Sequence, residues 1–354
     1  MTAIPKPIHF DPIVGDPAEW IARIDVSSLN QYAACPRRFL FESRLGLDDP
    51  SHAHDRIFGT ACHAGFETLL QTRNPDSAIS TMESVYRSWF PPETDPDFAP
   101  KIPSIFDRSL RQFLTKYGLP NIEVLAIERP AALPLPNGDY LWTRRDLVAR
   151  RPSTNQVVVY DYKTSRYCDS RWWQDQWHLS SQIHAYQYIT QLQYPRTDVS
   201  VILVAFHFTK PPRLKKDGTA YANDTDCKQE MLEYRRPPWS VHAWLDWTMT
   251  LLDRLRADDA RLLSGDLLDD IGRLTAYPQD FSGHACARFN RPCPFLDICA
   301  QCPNPLATLD YGRLVPAHCS RRYWDPTRGP LVTASPQPES TAPPQPEADE
   351  STKT

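Results

Sequence analysis

The nine residues Val157-Val158-Val159-Tyr160-Asp161-Tyr162-Lys163-Thr164-Ser165 constrain this chain more than any other stretch. Three valines and a tyrosine running into Asp-x-Lys read as a short buried strand, because β-branched and aromatic side chains suit a pleated, packed surface. Side chains alternate along a strand, so Asp161 and Lys163 share a face with Val157 and Val159. A carboxylate and an ammonium at the end of an apolar strand are costly unless they pair, meet water or bind something. For an isolated Asp-x-Lys, an ion pair at a strand end is the ordinary explanation.

The upstream neighbour changes the odds. Residues 139–150 read as a second strand, and Arg151–Gln156 as the turn between the two. In a hairpin symmetric about that turn, Asp146 faces Asp161 across the ladder, with Cβ atoms about 5 Å apart. Like charges that close are destabilising unless a cation bridges them. The pair therefore suits a hard divalent metal, with Lys163 beside it.

The remaining composition narrows the setting. A chain of 354 residues allows one large domain or two ordinary ones, and 41% apolar content with ten Trp and fifteen Tyr supplies a sizeable core. A net charge of −4 is no global basic signature, so any nucleic-acid contact must come from local patches. No stretch resembles a signal peptide or a membrane span, which sets the expectation of a soluble cytoplasmic protein without membrane contact. Nine Cys, clustered toward one end, fit metal ligation in a reducing compartment better than a disulfide framework.

Taken in order, residues 1–26 are a proline-containing, irregular lead-in. Ser28-Leu29-Asn30-Gln31 resembles a capping box, opening a helix that Pro36 ends at Cys35. A helix is expected over 56–72, with His63 beside its apolar stripe. Amphipathic helix over 76–117 is interrupted by prolines 91–103, and 122–128 reads as a strand. A helix over 179–192 places Gln182 and Tyr186 on one face. A strand over 199–208, a charged loop over 210–228 and a long helix over 239–263 follow. Trp172, Trp173 and Trp177 divide between core packing and stacking on unpaired bases. From Pro326 to Thr354 apolar residues nearly vanish, and that tail is expected to be disordered.

The second informative stretch is 286–302, with four Cys spaced C-x(6)-C-x(5)-C-x(2)-C. At this density metal binding outweighs chance clustering. Zinc suits four thiolates, and an iron–sulfur cluster also takes four Cys ligands that need not be contiguous.

Together these residues resemble the PD-(D/E)XK nuclease superfamily, in particular its RecB-like and AddB-like branch with a C-terminal iron–sulfur cluster. The branch includes CRISPR-associated and phage-encoded exonucleases. The resemblance spans Ser27 to Cys302, with motifs in family order: Cys35-Pro-Arg-Arg-Phe, Gly59-x-x-x-His63, Asp146, Asp161-x-Lys163-Thr and Gln182-x-x-x-Tyr186. No Gly closely precedes Asp146, and the first cysteine gap is wider than the family's. The resemblance implies an α/β, restriction-endonuclease-like core over 27–325, a mixed central sheet flanked by helices. Its N- and C-terminal segments would be joined at a 4Fe–4S cluster on Cys35, Cys286, Cys293 and Cys299.

It further implies Mg²⁺ or Mn²⁺ on His63, Asp146, Asp161 and the Tyr162 carbonyl. Lys163 joins Asp146 and Asp161 as a catalytic residue, and Gln182 and Tyr186 lie near DNA. Glu128 is a candidate for a supporting or second-metal role, or for a strand-end salt bridge. The implied activity is a metal-dependent deoxyribonuclease, an exonuclease on single-stranded ends. It would serve DNA repair, recombination or CRISPR processing beside a helicase or recombinase, in a prokaryotic or phage setting. Two other classes are a catalytically inactive DNA-binding scaffold and a zinc-stapled interaction protein.

Overall fold

The computed structural model describes residues 20–306 apart from 22, 49–52, 120, 166–169, 209–215, 218–226 and 288–291, together with Ser320 and Arg321. Most of the lead-in, nearly all of the charged loop and the whole Pro-rich tail lie outside the described residues.

Helix α1 (Val26–Ala34) passes through Cys35 into α2 (Pro36–Phe39), which widens into a π-helical turn over Leu40–Arg44. Two-residue strand β1 (Leu47–Asp48) precedes α3 (Ala53–Thr72), α4 (Pro75–Arg87), short α5 (Asp95–Phe98) and α6 (Pro103–Tyr117). Strands β2 (Glu123–Pro134), β3 (Tyr140–Arg151) and β4 (Gln156–Ser165) form an antiparallel meander. Helices α7 (Arg171–Asp175) and α8 (Ser181–Gln193) then cross over to β5 (Val199–Phe208), parallel to β4, and β6 (Cys227–Tyr234) returns antiparallel. Helices α9 (Pro238–Ser264) and α10 (Leu296–Gln301) follow, and β7 (Ser320–Arg321) pairs with β1. The result is a mixed sheet ordered β2-β3-β4-β5-β6 with helices on both faces.

Alternation along the central strands explains the layering. Val158, Tyr160 and Tyr162 of β4, with Ile202, Val204, Phe206 and Phe208 of β5, face α3, α4 and α6. Val157 and Val159, with Val199, Val201 and Leu203, face Ile183 and Tyr186 of α8. All ten residues of β5 are buried, as a parallel strand covered on both sides requires. The β3–β4 ladder runs from Arg151↔Gln156 to Leu147↔Tyr160, the register that symmetry about the turn predicts.

Two local expectations change. The first helix is capped by Asp25 and not by Ser28: Asp25 Oδ1 accepts the Ser28 N–H at 2.6 Å, so Ser28 is already inside the helix. Strand β6 has no counterpart in the sequence reading because its inward position is polar. The Gln229 amide is buried yet satisfied, donating to Ser109 Oγ at 3.0 Å and to the Ser109 carbonyl at 3.2 Å on α6.

The N-terminal helices are bolted to the C-terminal third by buried polar groups. Arg37 donates to the carbonyls of Tyr277 and Leu274, each at 2.8 Å. Arg44 binds Asp259 through two nitrogens, at 2.7 and 2.9 Å. The Tyr32 hydroxyl donates to Asp258, and Phe39 stacks on Tyr277. Charged groups so deeply buried are tolerated because each is paired or hydrogen-bonded.

Helix α3 meets α4 through Gly65, where an added Cβ would lie 3.0 Å from both Ala78 O and Met82 Cβ, whereas a Cβ on Gly59 meets nothing within 4 Å. Gly65→Ala is expected to cost about 1–3 kcal/mol by overpacking. Gly59→Ala should add about 0.5–1 kcal/mol by removing a helix-interior glycine. Thermal melts of the two variants check the opposite signs.

Candidate active site

Register builds the site. Glu128 lies between the pairs Ile127↔Leu147 and Arg129↔Arg145, hence opposite Asp146. Asp161 lies one step beyond Leu147↔Tyr160, again opposite Asp146. Three carboxylates on three adjacent strands thus form one row across the sheet. Glu128 adopts φ 47°, uncommon for a residue with a side chain and found where surrounding structure holds a functional group in place.

His63 closes the row from α3. Its Nδ1 lies 3.0 Å from Glu128 Oε1 and 3.5 Å from Asp146 Oδ2. Among the described residues, His63, Glu128 and Asp146 form a group whose ligand atoms all lie within 4.8 Å of one another. Where the β3–β4 ladder ends, the Asp146 carboxylate takes over and accepts the Tyr162 N–H at 2.7 Å.

Asp161 is fully buried and sits beside this group. Its Oδ1 accepts from Tyr186 OH at 3.3 Å and from Gln182 Nε2 at 3.4 Å. Lys163 Nζ lies 2.8 Å from Oδ2, yet that oxygen receives no well-directed hydrogen bond. That oxygen is thus held by charge, facing the Lys163 ammonium. The lysine ammonium also stands 5.6 Å from the centre of the Trp177 ring.

The donor set fits a hard divalent ion. The His63 imidazole and the Glu128 and Asp146 carboxylates match Mg²⁺ or Mn²⁺, with the Asp161 carboxylate beside them. With His63 neutral and Lys163 charged, the row carries two net negative charges, which one such ion cancels. Without it, burial pushes the Asp161 carboxyl up to about 6, Asp146 adding to the rise and Lys163 opposing it. Asp146 is likewise raised, by burial first. His63 behaves oppositely: burial alone would lower it, but Asp146 and Glu128 outweigh that and lift it to about 9.

The structure therefore brings His63, Asp146, Asp161 and Lys163 together and adds Glu128, whose signal in the sequence was its place in the strand preceding the hairpin. Gln182 and Tyr186 point to the same place, with a difference. Tyr186 is buried, and its hydroxyl donates to Arg144 O at 2.7 Å besides contacting Asp161. It braces a carboxylate and is not open to DNA. Gln182 also accepts no such burial: it lines an open groove of about 1220 Å³ together with Trp177. Of the three tryptophans, Trp173 is buried, Trp172 is 61% exposed and Trp177 lies between.

The pH dependence follows from these shifts. A carboxyl raised to about 6 favours the fold below its unfolded value of about 4, a contribution lost as pH rises through 6. A histidine raised to about 9 favours the fold below about 6.5, a contribution lost as pH rises through 9. The metal-free protein should therefore lose stability across both windows. Mg²⁺ should restore it increasingly, because the ion competes with protons for the same ligands. Saturation at 100 times Kd adds about 2.7 kcal/mol. Melting curves in EDTA and in Mg²⁺ should separate more at pH 9 than at pH 6; a separation independent of pH would remove His63 from the ligand set.

No curated protein matches the chain. The family model of the PD-(D/E)XK nuclease superfamily matches residues 23–300, a span that contains every residue of this site. The chain belongs to the PD-(D/E)XK nuclease superfamily.

Proposed function

We propose that this protein hydrolyses phosphodiester bonds of DNA with Mg²⁺ or Mn²⁺, acting as an exonuclease on single-stranded ends. The observation that carries this reading is the row Glu128–Asp146–Asp161, closed by His63 and set beside Lys163, whose neighbours Gln182 and Trp177 line an open groove. Glu128 joins His63, Asp146, Asp161 and the Tyr162 carbonyl as the set holding the cation. The cation supplies Lewis acidity toward the scissile phosphate and the attacking water. Lys163 stands where it can orient that water and meet the charge that grows on the phosphate oxygens. Water oxygen bonds to phosphorus and gives up a proton, the bond to the leaving sugar oxygen breaks, and that oxygen takes up a proton. Tyr186 and Gln182 fix Asp161, and the Tyr162 N–H fixes Asp146, so neither carboxylate need reorganise during the step.

The reading extends to the RecB-like, AddB-like branch through the cysteines. Cys35, Cys286, Cys293 and Cys299 are gathered where the N- and C-terminal segments meet. Burial, then the neighbouring Cys35 and Cys299, push the Cys286 thiol up. Burial also raises Cys293, with Cys35 contributing. Cys35 Sγ accepts the Arg38 N–H at 3.5 Å, and Cys299 Sγ accepts from Gln279 Nε2 at 3.2 Å. A single zinc would hold its sulfurs about 3.8 Å apart, from Zn–S bonds of about 2.3 Å at tetrahedral angles. A 4Fe–4S cluster likewise takes four cysteine thiolates, which need not be contiguous. Cys302 is the C-cap residue of α10, its backbone N–H donating to the Ile298 carbonyl.

Asp161→Ala should abolish DNA cleavage while leaving the metal-free protein about as stable as wild type, since ligand and repulsion vanish together. Lys163→Ala should lose cleavage yet keep Mg²⁺-dependent stabilisation. Cleavage of labelled single-stranded DNA, run beside melting curves, tests both, and near-normal cutting by Asp161→Ala would end the nuclease assignment. Cys293→Ala should lose the broad absorbance near 400 nm of anaerobically purified protein and much of its solubility, whereas Cys302→Ala should keep both. Zinc in place of iron in the wild-type protein would rule out the cluster.

A further inference from the structure

The groove beside the active site is walled on one side by Trp177 and Gln182 and on the other by α1, α2 and the π-helical turn. A polyanion would be expected to meet bare positive charge here. It does not. Arg38 and Arg56 line the groove, each tied to a carboxylate that lines it too: Arg38 to Glu42, Arg56 to Asp48.

The two ties differ in kind. Asp48 holds Arg56 through both terminal nitrogens, at 3.1 and 2.9 Å. Glu42 touches Arg38 only at Nε, through Oε1 at 2.7 Å, while its other oxygen accepts from Gln31. The terminal nitrogens of Arg38 are therefore uncommitted among the described residues. The pair is also accessible, its side chains 29% and 26% exposed. A half-buried pair held by a single contact gives way to a competing anion more readily than one held by two. A phosphate approaching the uncommitted edge can bind it through two parallel hydrogen bonds, a stronger arrangement. Neighbouring arginines cannot do this, because Arg37 and Arg44 are buried and spent on the C-terminal segment.

We propose that Arg38 is a phosphate-binding residue of this groove and that Glu42 is its built-in competitor, an anionic latch that a single-stranded nucleic acid must displace from the guanidinium. The inference rests on the nuclease reading for the identity of the polyanion. Because Arg38 also gives its backbone N–H to Cys35 Sγ, the latch is seated directly on the cysteine site.

The test is binding of a fluorescein-labelled single-stranded DNA oligonucleotide to the full chain in EDTA, where cleavage is absent, over a series of salt concentrations. Arg38→Gln should weaken binding three- to tenfold and reduce the slope of log K against log salt by about 0.7, one phosphate contact on a single strand. Glu42→Gln should tighten binding three- to tenfold and steepen the slope. Opposite signs are the signature, since a pair that only holds structure would make both variants weaker. The latch is overturned if the two variants weaken binding alike, if neither changes it, or if no variant binds the oligonucleotide. Those results leave the nuclease reading to its own test, the loss of cleavage in Asp161→Ala.

Discussion

Repulsion between crowded carboxylates, two of them buried, is the constraint on which the site depends. Glu128, Asp146 and Asp161 occupy one row because three strands share a register, and a sheet offers no way to separate them without slipping that register. A one-residue slip would turn Val157 and Val159 away from α8 and expose the core, so the apolar pattern holds the charges together. Partners on every side make the row tolerable: His63 from α3, Lys163 from the same strand, Gln182 and Tyr186 from α8, and the Tyr162 N–H.

Those partners are themselves held by contacts outside the site. The start of α8 is pinned to α9 by Trp244 Nε1 donating to Ser181 Oγ at 2.7 Å and by His184 Nε2 lying 2.8 Å from Ser240 Oγ. Gln187 exchanges hydrogen bonds with the Arg236 backbone, and the Arg236 side chain reaches the Trp177 carbonyl. The helix carrying Gln182 and Tyr186 is thus fixed by residues that touch no reacting atom. Removing such support loosens geometry, and catalytic geometry tolerates little loosening.

Most of this was legible in the chain because the informative features were periodic or covalent. Eight apolar residues in the ten positions 199–208 specify a doubly covered strand, and symmetry about the 151–156 turn specifies the register that aligns Asp146 with Asp161. The position of Glu128 was less accessible. It required the β2–β3 register, which a bulge between Val124 and Ala126 offsets. Tyr186 shared a helical face with Gln182 as spacing dictates, but spacing does not reveal that its hydroxyl is consumed by Arg144 O and Asp161. Strand β6 escaped detection because Gln229 fills an inward position that sequence patterns reserve for apolar residues. The Asp25 cap was hidden by a competing Ser three residues later.

The bolts between the N-terminal helices and the C-terminal third carry a consequence for synthesis. Arg37, Arg44 and Tyr32 emerge early but find their partners only at Asp258, Asp259, Leu274 and Tyr277. At roughly 5–20 residues per second, the 240 residues separating Arg37 from Tyr277 take on the order of ten to fifty seconds to translate. For that interval the nascent chain carries two arginines and an aromatic face awaiting burial, so one wall of the groove assembles after the central sheet can form. Contacts of such long sequence separation are closed last and at the greatest entropic cost. The catalytic row, by contrast, is complete once α8 has been made, which divides the birth of this protein into an early chemical half and a late architectural one.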